Sequence, residues 1–237
     1  MLTLGKKRKG NTQITDFGWA YVEFLIQQYW SPEQINGALK DRGWIDVVST
    51  ERIYLYIYEN KANGGDLHKY LRCQKTYRKR GSANQDRRGQ IIGKNHKGAL
   101  LKLVDRVSKL IKIRPLANKN AQNLSNVSVL ALSKWQSHSI TVDNGKEFSN
   151  HYQISYALDI HIYFAETYSS WQRGTNENTN GLIRQFFPKN MKLDNISIEQ
   201  AKHVEELLNN RPRKSFGFKT PLQVESRNNI FALTTGI

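Results

Sequence analysis

From Ala99 onward, short apolar runs and longer amphipathic segments take turns, and this rhythm most narrows the folds open to the chain. Ala99-Leu100-Leu101-Lys102-Leu103-Val104-Asp105 and Leu110-Ile111-Lys112-Ile113-Arg114 read as strands split by a turn at 106–109, and Gln90-Ile91-Ile92-Gly93 is a shorter strand candidate ahead of them. Residues 118–136 read as a helix with Leu124, Val127, Leu130, Ala131 and Trp135 inward. A strand over 138–143, a helix over 147–158, a strand over 160–165 and a helix over 175–187 follow. A last helix over 197–209 opens with Ser197 and Gln200 at capping-box spacing. That order predicts an α/β fold, a sheet of mixed direction with helices on its faces.

The upstream third has a different rhythm. Residues 16–28 place Phe17, Ala20, Tyr21, Phe24 and Leu25 at helical spacing. Ser31-Pro32-Glu33-Gln34 is a strong helix start, with serine as N-cap, proline at the first helical position and glutamine three after the cap. That helix should stop at Gly43, and a further start follows at Ser49-Thr50-Glu51-Arg52. Two short capped helices with a turn between are similar to a helix-turn-helix, although this link is longer than the usual one; a small packed bundle with no further role is the alternative. The division expected is a disordered basic N-terminus at 1–15, a helical DNA-binding region at 16–60, a basic linker at 61–88 and an α/β core at 89–237.

The net charge of +16 and the pI near 9.9 say little about fold and much about partners. The densest run holds Lys75, Arg78, Lys79, Arg80, Arg87 and Arg88; alone it reads equally as a solvated face or linker, but basic residues spread over the whole chain favour nucleic acid. No apolar stretch approaches the ~20 residues of a spanning helix, and the N-terminus lacks the order of a secretory signal. Cys73 is the only cysteine, which excludes an internal disulfide and a multi-cysteine zinc site and fits a reducing cytoplasm.

Two acids stand where chemistry is expected. Asp143 ends the strand Ile140-Thr141-Val142, and Glu177 lies in the first turn of a helix, with 33 residues between them. That interval holds one helix, one strand and one loop, a path able to return both carboxylates to one sheet edge. In a basic chain, two such acids suggest a divalent metal acting on a nucleic-acid phosphate. The plainer reading stays open: Asp-Asn-Gly is an ordinary turn, and the helix dipole favours glutamate in a first turn.

The sequence around these acids resembles a known family. Thr141-Val142-Asp143-Asn144-Gly145-Lys146-Glu147-Phe148, Tyr163-Phe164-Ala165, Ser170-Trp171-Gln172-Arg173-Gly174-Thr175-Asn176-Glu177-Asn178-Thr179-Asn180-Gly181 and Leu208-Asn209-Asn210-Arg211-Pro212-Arg213-Lys214 resemble bacterial insertion-sequence transposases of the DDE (retroviral-integrase-like) superfamily, the IS-thirty group. Ser31-Pro32-Glu33-Gln34, Gly64-Gly65-Asp66-Leu67 and Arg88-Gly89-Gln90-Ile91 match its upstream region. The resemblance implies a ribonuclease-H-like core, dependence on Mg2+ or Mn2+, and cutting and joining of double-stranded DNA at the terminal inverted repeats of an insertion sequence. It makes Asp143 and Glu177 the second and third metal ligands. It also makes Trp171, Arg173, Asn176 and Asn180 groups beside Glu177 on the DNA side. Arg184, Arg211, Arg213 and Lys214, with Arg78, Lys79, Arg80, Arg87 and Arg88, become candidate phosphate contacts, though each alone reads equally as a surface cation.

The chain departs from the family pattern in three ways. The first acid of the triad belongs to a first core strand of pattern Trp-Glu-x-Asp-Thr-Val-Ile-Gly; here Ile91-Ile92-Gly93 matches its end, and Gly89 stands in the acid's place. The junction is expected to mark an internal deletion of a few tens of residues, and Asp86 and Asp105 are the candidate substitutes. The chain is also expected to begin after the family's additional N-terminal helix-turn-helix. Glu166-Thr167 stands where the family has Thr-Pro. A transposase with weakly bound metal and impaired catalysis is therefore expected. A non-enzymatic DNA-binding protein or inhibitor, able to form mixed oligomers with a full-length relative, is the alternative, and a metal-dependent nuclease with a rebuilt site is a third. His151 and His161 are further metal candidates, with ordinary packed or exposed histidines as the plainer reading.

Overall fold

The computed structural model describes residues 14–44, 47–72, 98–135, 137–166, 174–188, 191–225 and 229–235, with the backbone alone for 174–177 and 229–235. The chain divides into two compact units, Met1–Thr76 and Tyr77–Ile237. In the first, α1 (Asp16–Gln27), α2 (Pro32–Asp41) and α3 (Thr50–Ala62) each follow a hydroxyl cap. Thr15 accepts from Gly18 N, and Ser49 from Arg52 N. Ser31 accepts from Gln34 N while Gln34 Oε1 accepts from Ser31 N at 2.9 Å, closing the capping box read from the sequence. Gly43, just past α2, has φ +63, a left-handed conformation that ends helices cheaply only in glycine. Val22, Ile26, Ile35, Leu39, Ile53 and Ile57 fill the core.

The helical unit runs further than expected. Residues 61–72, assigned above to the linker, are part of it: α3 continues to Ala62, and a 3-10 turn at Leu67–Tyr70 buries Leu67 and Leu71. Asn60 Oδ1 accepts from Leu67 N, which fixes that turn to α3. Two apolar anchors and a side-chain amide outweigh the loop signal of Gly64-Gly65.

The second unit is the α/β fold expected. Its strands are β1 (Ala99–Asp105), β2 (Ile111–Leu116), β3 (Ser137–Val142), β4 (His161–Phe164) and β5 (Asn229–Thr235), and its helices are α4 (Ala121–Leu132), α5 (His151–Leu158), α6 (Gly174–Ile183) and α7 (Ile198–Asn209). The sheet order is β2-β1-β5-β3-β4. β1 pairs antiparallel with both β2 and β5, whereas β3 pairs parallel with both β5 and β4. Alternation along β1 splits the core in two. Leu101 and Leu103 face Leu124, Leu132, Phe148 and Ile154 from the α4 and α5 side. Leu100 and Val104 face Leu182, Ile183, Val204 and Leu208 from the α6 and α7 side.

β2 is an edge strand, and α7 covers its open hydrogen-bonding groups. Asn209 Oδ1 accepts from Ile111 N and Asn209 Nδ2 donates to Ile111 O, both at 2.8 Å. Glu205 Oε2 accepts from Ile113 N and from Arg114 Nη1. The edge is thus closed to pairing with another strand, and Pro115 lies where no ladder donor is needed.

Several elements differ from the sequence-based expectation. The 118–136 helix starts only at Ala121, because the Asn120 side chain accepts from Asn123 N and caps it there, and it ends at Leu132. The 147–158 helix is broken into a 3-10 turn at Lys146–Phe148 and α5, since Phe148 N and Ser149 N donate three residues back. The 175–187 helix ends at Ile183 and gives way to tighter turns. No strand was expected over 229–235, yet β5 lies in the middle of the sheet. The candidate strand at 90–93 lies outside the described residues. Among the described residues no helix is long and apolar enough to cross a membrane.

Candidate active site

Asp143 follows the last residue of β3, half-buried, at a point fixed by two hydrogen bonds. Ala165 N donates to Val142 O at 2.8 Å, and Asn144 Nδ2 donates to Ala165 O at 3.1 Å, so the ends of β3 and β4 are clasped together beside the acid. Gly145 then lets Glu147 fold back: a Cβ at Gly145 would meet Glu147 Oε2 at 2.5 Å.

Lys102 is the neighbour that sequence reasoning missed. It lies mid-way along β1, in a strand buried at every position, and is 2% exposed. Alternation puts it on the α6 and α7 face with Leu100 and Val104, and its Nζ donates to Asn180 Oδ1 of α6 at 2.5 Å. Burial pushes its pKa down to about 8; the nearby Arg184 guanidinium pushes the same way, and Asp143 pushes it back up. Asp143, Lys102, Asn180 and Arg184 therefore share one corner. The signal available was a single lysine inside an otherwise apolar strand, Leu100-Leu101-Lys102-Leu103-Val104, since a cation so placed requires polar company.

The backbone of Glu177 lies in the first turn of α6, three residues before Asn180 and hence on the neighbouring turn of the same helical face. Its side chain, like that of Asn176, lies outside the described part, as do Trp171, Arg173, Arg78, Lys79, Arg80, Arg87, Arg88, Asp86 and Gly89 altogether. Asp105 is placed, and it is occupied: Val107 N, Ser108 N and the Ser108 hydroxyl all donate to its carboxylate, closing the β1–β2 turn. It is fully buried at the far end of β1 from the corner. His151 Nδ1 donates to Phe148 O at 3.0 Å, and His161 is exposed beside Tyr163.

The basic residues after α7 do not all face water. Arg211 is only 3% exposed, and its Nη1 donates to Gln185 Oε1, so it braces the interior where a phosphate contact was expected. Arg213 is half-buried and donates to Leu208 O; Lys214 is exposed. Arg184 is half-buried beside the corner.

A divalent cation of the magnesium type takes hard oxygen ligands and several waters. Asp143 is one such ligand, but Lys102 and Arg184 bring two positive charges to the same corner. Among the described residues no group of three histidine, cysteine or acidic side chains forms a metal site. The described side chains thus leave a magnesium site incomplete.

The comparisons place this geometry in a family. The transposase for insertion sequence element IS4351 of Bacteroides fragilis is 44% identical over 226 aligned positions, covering 83% of this chain and 69% of the relative. The transposase for IS1086 of Cupriavidus metallidurans is 33% identical, covering 87% of this chain and 71% of the relative. The InsI transposase for IS30C of Escherichia coli K12 is 32% identical, covering 85% and 62%. The chain belongs to the IS30-type insertion-sequence transposases. No general family model matches it. With the first of these transposases, 83% of 237 residues is about 197, so about 29 of the 226 aligned positions have no residue in this chain.

Proposed function

We propose that this chain is a DNA transposase, built for divalent-metal phosphoryl transfer at insertion-sequence ends, whose catalytic site is incomplete. One observation carries the reading: in a chain similar to transposases, Asp143 and α6, the helix of Glu177, meet at one corner of the sheet through Lys102 and Asn180. The mixed sheet with helices on both faces supports a ribonuclease-H-like core. The three capped helices upstream, α2 and α3 above all, support a helix-turn-helix-like DNA-binding region. The charge of +16 supports double-stranded DNA, with inverted terminal repeats as the natural substrate and Lys75 to Arg88 as the basic linker.

Asp143 and Glu177 would hold Mg2+ or Mn2+, which supplies charge neutralisation at the phosphate undergoing transfer. Arg184, Arg213 and Lys214 remain the phosphate contacts of this unit, and Trp171, Arg173, Asn176 and Asn180 the groups around Glu177. The shortfall of about 29 positions supports an internal deletion, and the cations beside Asp143 support weak metal binding. A site lacking one acid loses orders of magnitude in rate, because catalysis here is positioning and charge stabilisation.

These same observations favour a second reading, a DNA-binding protein that occupies insertion-sequence ends or joins a full-length transposase without cutting. Gel shift and strand nicking on a terminal-repeat duplex with Mg2+ or Mn2+ test both. Expected is a salt-sensitive shift, weakened when Arg78, Lys79 and Arg80 are changed to alanine, with nicking at background. Robust nicking abolished by Asp143→Asn would overturn the incomplete site. Absence of any shift would overturn DNA binding.

A further inference from the structure

A pocket of about 370 Å³ opens at the β2 edge of the sheet, between that strand, α4 and the start of α7. The register shows why it lies there. Lys112 and Arg114 of β2 stand opposite Leu103 and Leu101 of β1, so they take the α4 side of the sheet, while Ile111 and Ile113 are spent on the α6 and α7 side. Val127, Leu130 and Lys134, at three- and four-residue spacing along α4 and just past its end, line one wall. Leu130, which the periodicity points inward, is instead 76% exposed, and Ile198 at the start of α7 is 50% exposed on the same pocket.

The base of the pocket is charged. Lys112 is only 7% exposed, and its Nζ lies 4.1 Å from the centroid of the Trp135 ring. Burial lowers its pKa; Arg114 and Lys202 add to that, and Glu205 and Glu225 oppose it. Glu205 is already engaged with Arg114 and Ile113 N. Lys134 and Lys202 are exposed and line the pocket too. Four cations thus meet two carboxylates, and positive charge is in excess. The Asp143 corner is a separate place, because Lys102 reaches α6 on the other face of the sheet.

We propose that this pocket binds a single unpaired nucleotide, its phosphate held by Lys134 and Lys202 and its base lodged against Val127, Leu130 and Trp135. The surplus of cations selects an anion, and the apolar walls select one that carries a flat, weakly polar body. A nucleotide has both parts. A cavity of this volume takes a ligand of that size and not a double helix, whose bases are hidden in the stack. A DNA strand is the source chosen here on the strength of the DNA-binding reading above. The chemistry of the pocket is independent of that reading, and a free mononucleotide shares it.

Binding of thymidine 5′-monophosphate to the full chain, read by saturation-transfer NMR, tests the pocket by itself. Lys134→Gln with Lys202→Gln, both at exposed positions, should weaken it about tenfold. No binding to the parent, or equal binding to the variant, overturns the site whatever the protein does to DNA. Inorganic phosphate or hexaglutamate competing as well as the nucleotide overturns it too, the second in favour of an acidic protein segment. For the strand, two duplexes with equal phosphate counts are compared, one with a three-thymidine overhang and one with abasic residues in the overhang. The first should bind about fivefold more tightly. That preference should vanish in the double variant and survive Lys119→Gln with Lys219→Gln, exposed lysines outside the pocket. Nucleotide binding without the preference overturns the strand as source and leaves the free nucleotide as the occupant. If neither duplex binds, the DNA-binding reading fails while the NMR result stands.

Discussion

Lys102 Nζ donates to Asn180 Oδ1 at 2.5 Å, and this bond ties β1, a strand buried at every position, to the helix that carries Glu177. The pairing has a pH signature. Burial first, and Arg184 second, pull the folded-state pKa of Lys102 to about 8, below its ordinary value of 10.5. Below pH 8 both folded and unfolded lysines are charged, and the folded state carries the full desolvation cost. Between about 8 and 10.5 the unfolded chain still holds a proton that the folded chain has released, so stability rises with pH. The urea midpoint should therefore climb from pH 8 to 9.5. Lys102→Met should flatten that climb and unfold no earlier at pH 7, since an apolar side chain of similar length fits a buried position without desolvating a charge.

Asn209 clasps the N–H and the C=O of one residue, Ile111, on the edge strand β2. Replacing it by alanine removes both partners and leaves two buried backbone groups without them, which costs about 2–4 kcal/mol. Asn209→Asp should be no milder, because a carboxylate can accept from Ile111 N but is repelled by Ile111 O. Equilibrium urea unfolding measures both. Loss of the clasp also uncovers a strand edge, so Asn209→Ala should raise the rate of aggregation followed by light scattering.

Asp105 closes the β1–β2 turn through two backbone donors and one hydroxyl. Asp105→Ala should destabilise the α/β unit by about 2–3 kcal/mol, the range for leaving buried donors unpaired. If the turn is its only role, the folded fraction of Asp105→Asn should bind Mn2+ as the parent does. Metal binding that vanishes with Asp105→Asn at unchanged stability would return this residue to the list of ligands.

The local signals in the sequence proved the most readable. Ser31 with Gln34 and Ser197 with Gln200 form the capping boxes their spacing suggested, because a cap is decided within four residues. The apolar runs Ala99–Asp105 and Ile111–Leu116 fold as an antiparallel pair around the expected turn. What failed to show was non-local. Asn-Ile-Phe-Ala-Leu-Thr-Thr has no strong alternation, and its strand exists through β1 and β3 on either side. Asp143 was legible as the end of a strand, but the cationic company it keeps was not, since Lys102 and Arg184 stand 41 residues from it on either side. Arg211 looked like a surface cation in Asn-Arg-Pro-Arg-Lys, and only the packing around α7 reveals it as an interior brace.

Gly98 is the entry to β1, and two independent constraints meet there. Its φ is +85, a region that side chains rarely adopt. A Cβ at that position would also come within 2.6 Å of Asp194 N and of the Leu193 carbonyl carbon, which are backbone atoms and do not swing aside. Gly64, at φ +82, has the first constraint without the second, as nothing lies within 4 Å of its missing Cβ. The two positions therefore separate the effects. Gly64→Ala should cost about 1 kcal/mol, the strain of the left-handed region alone. Gly98→Ala should cost about 3 kcal/mol or more, because β1 must also move away from the 193–194 segment or that segment must yield. Thermal unfolding of the two variants at one pH measures the difference, and equal losses would mean that β1 enters the sheet with room to spare.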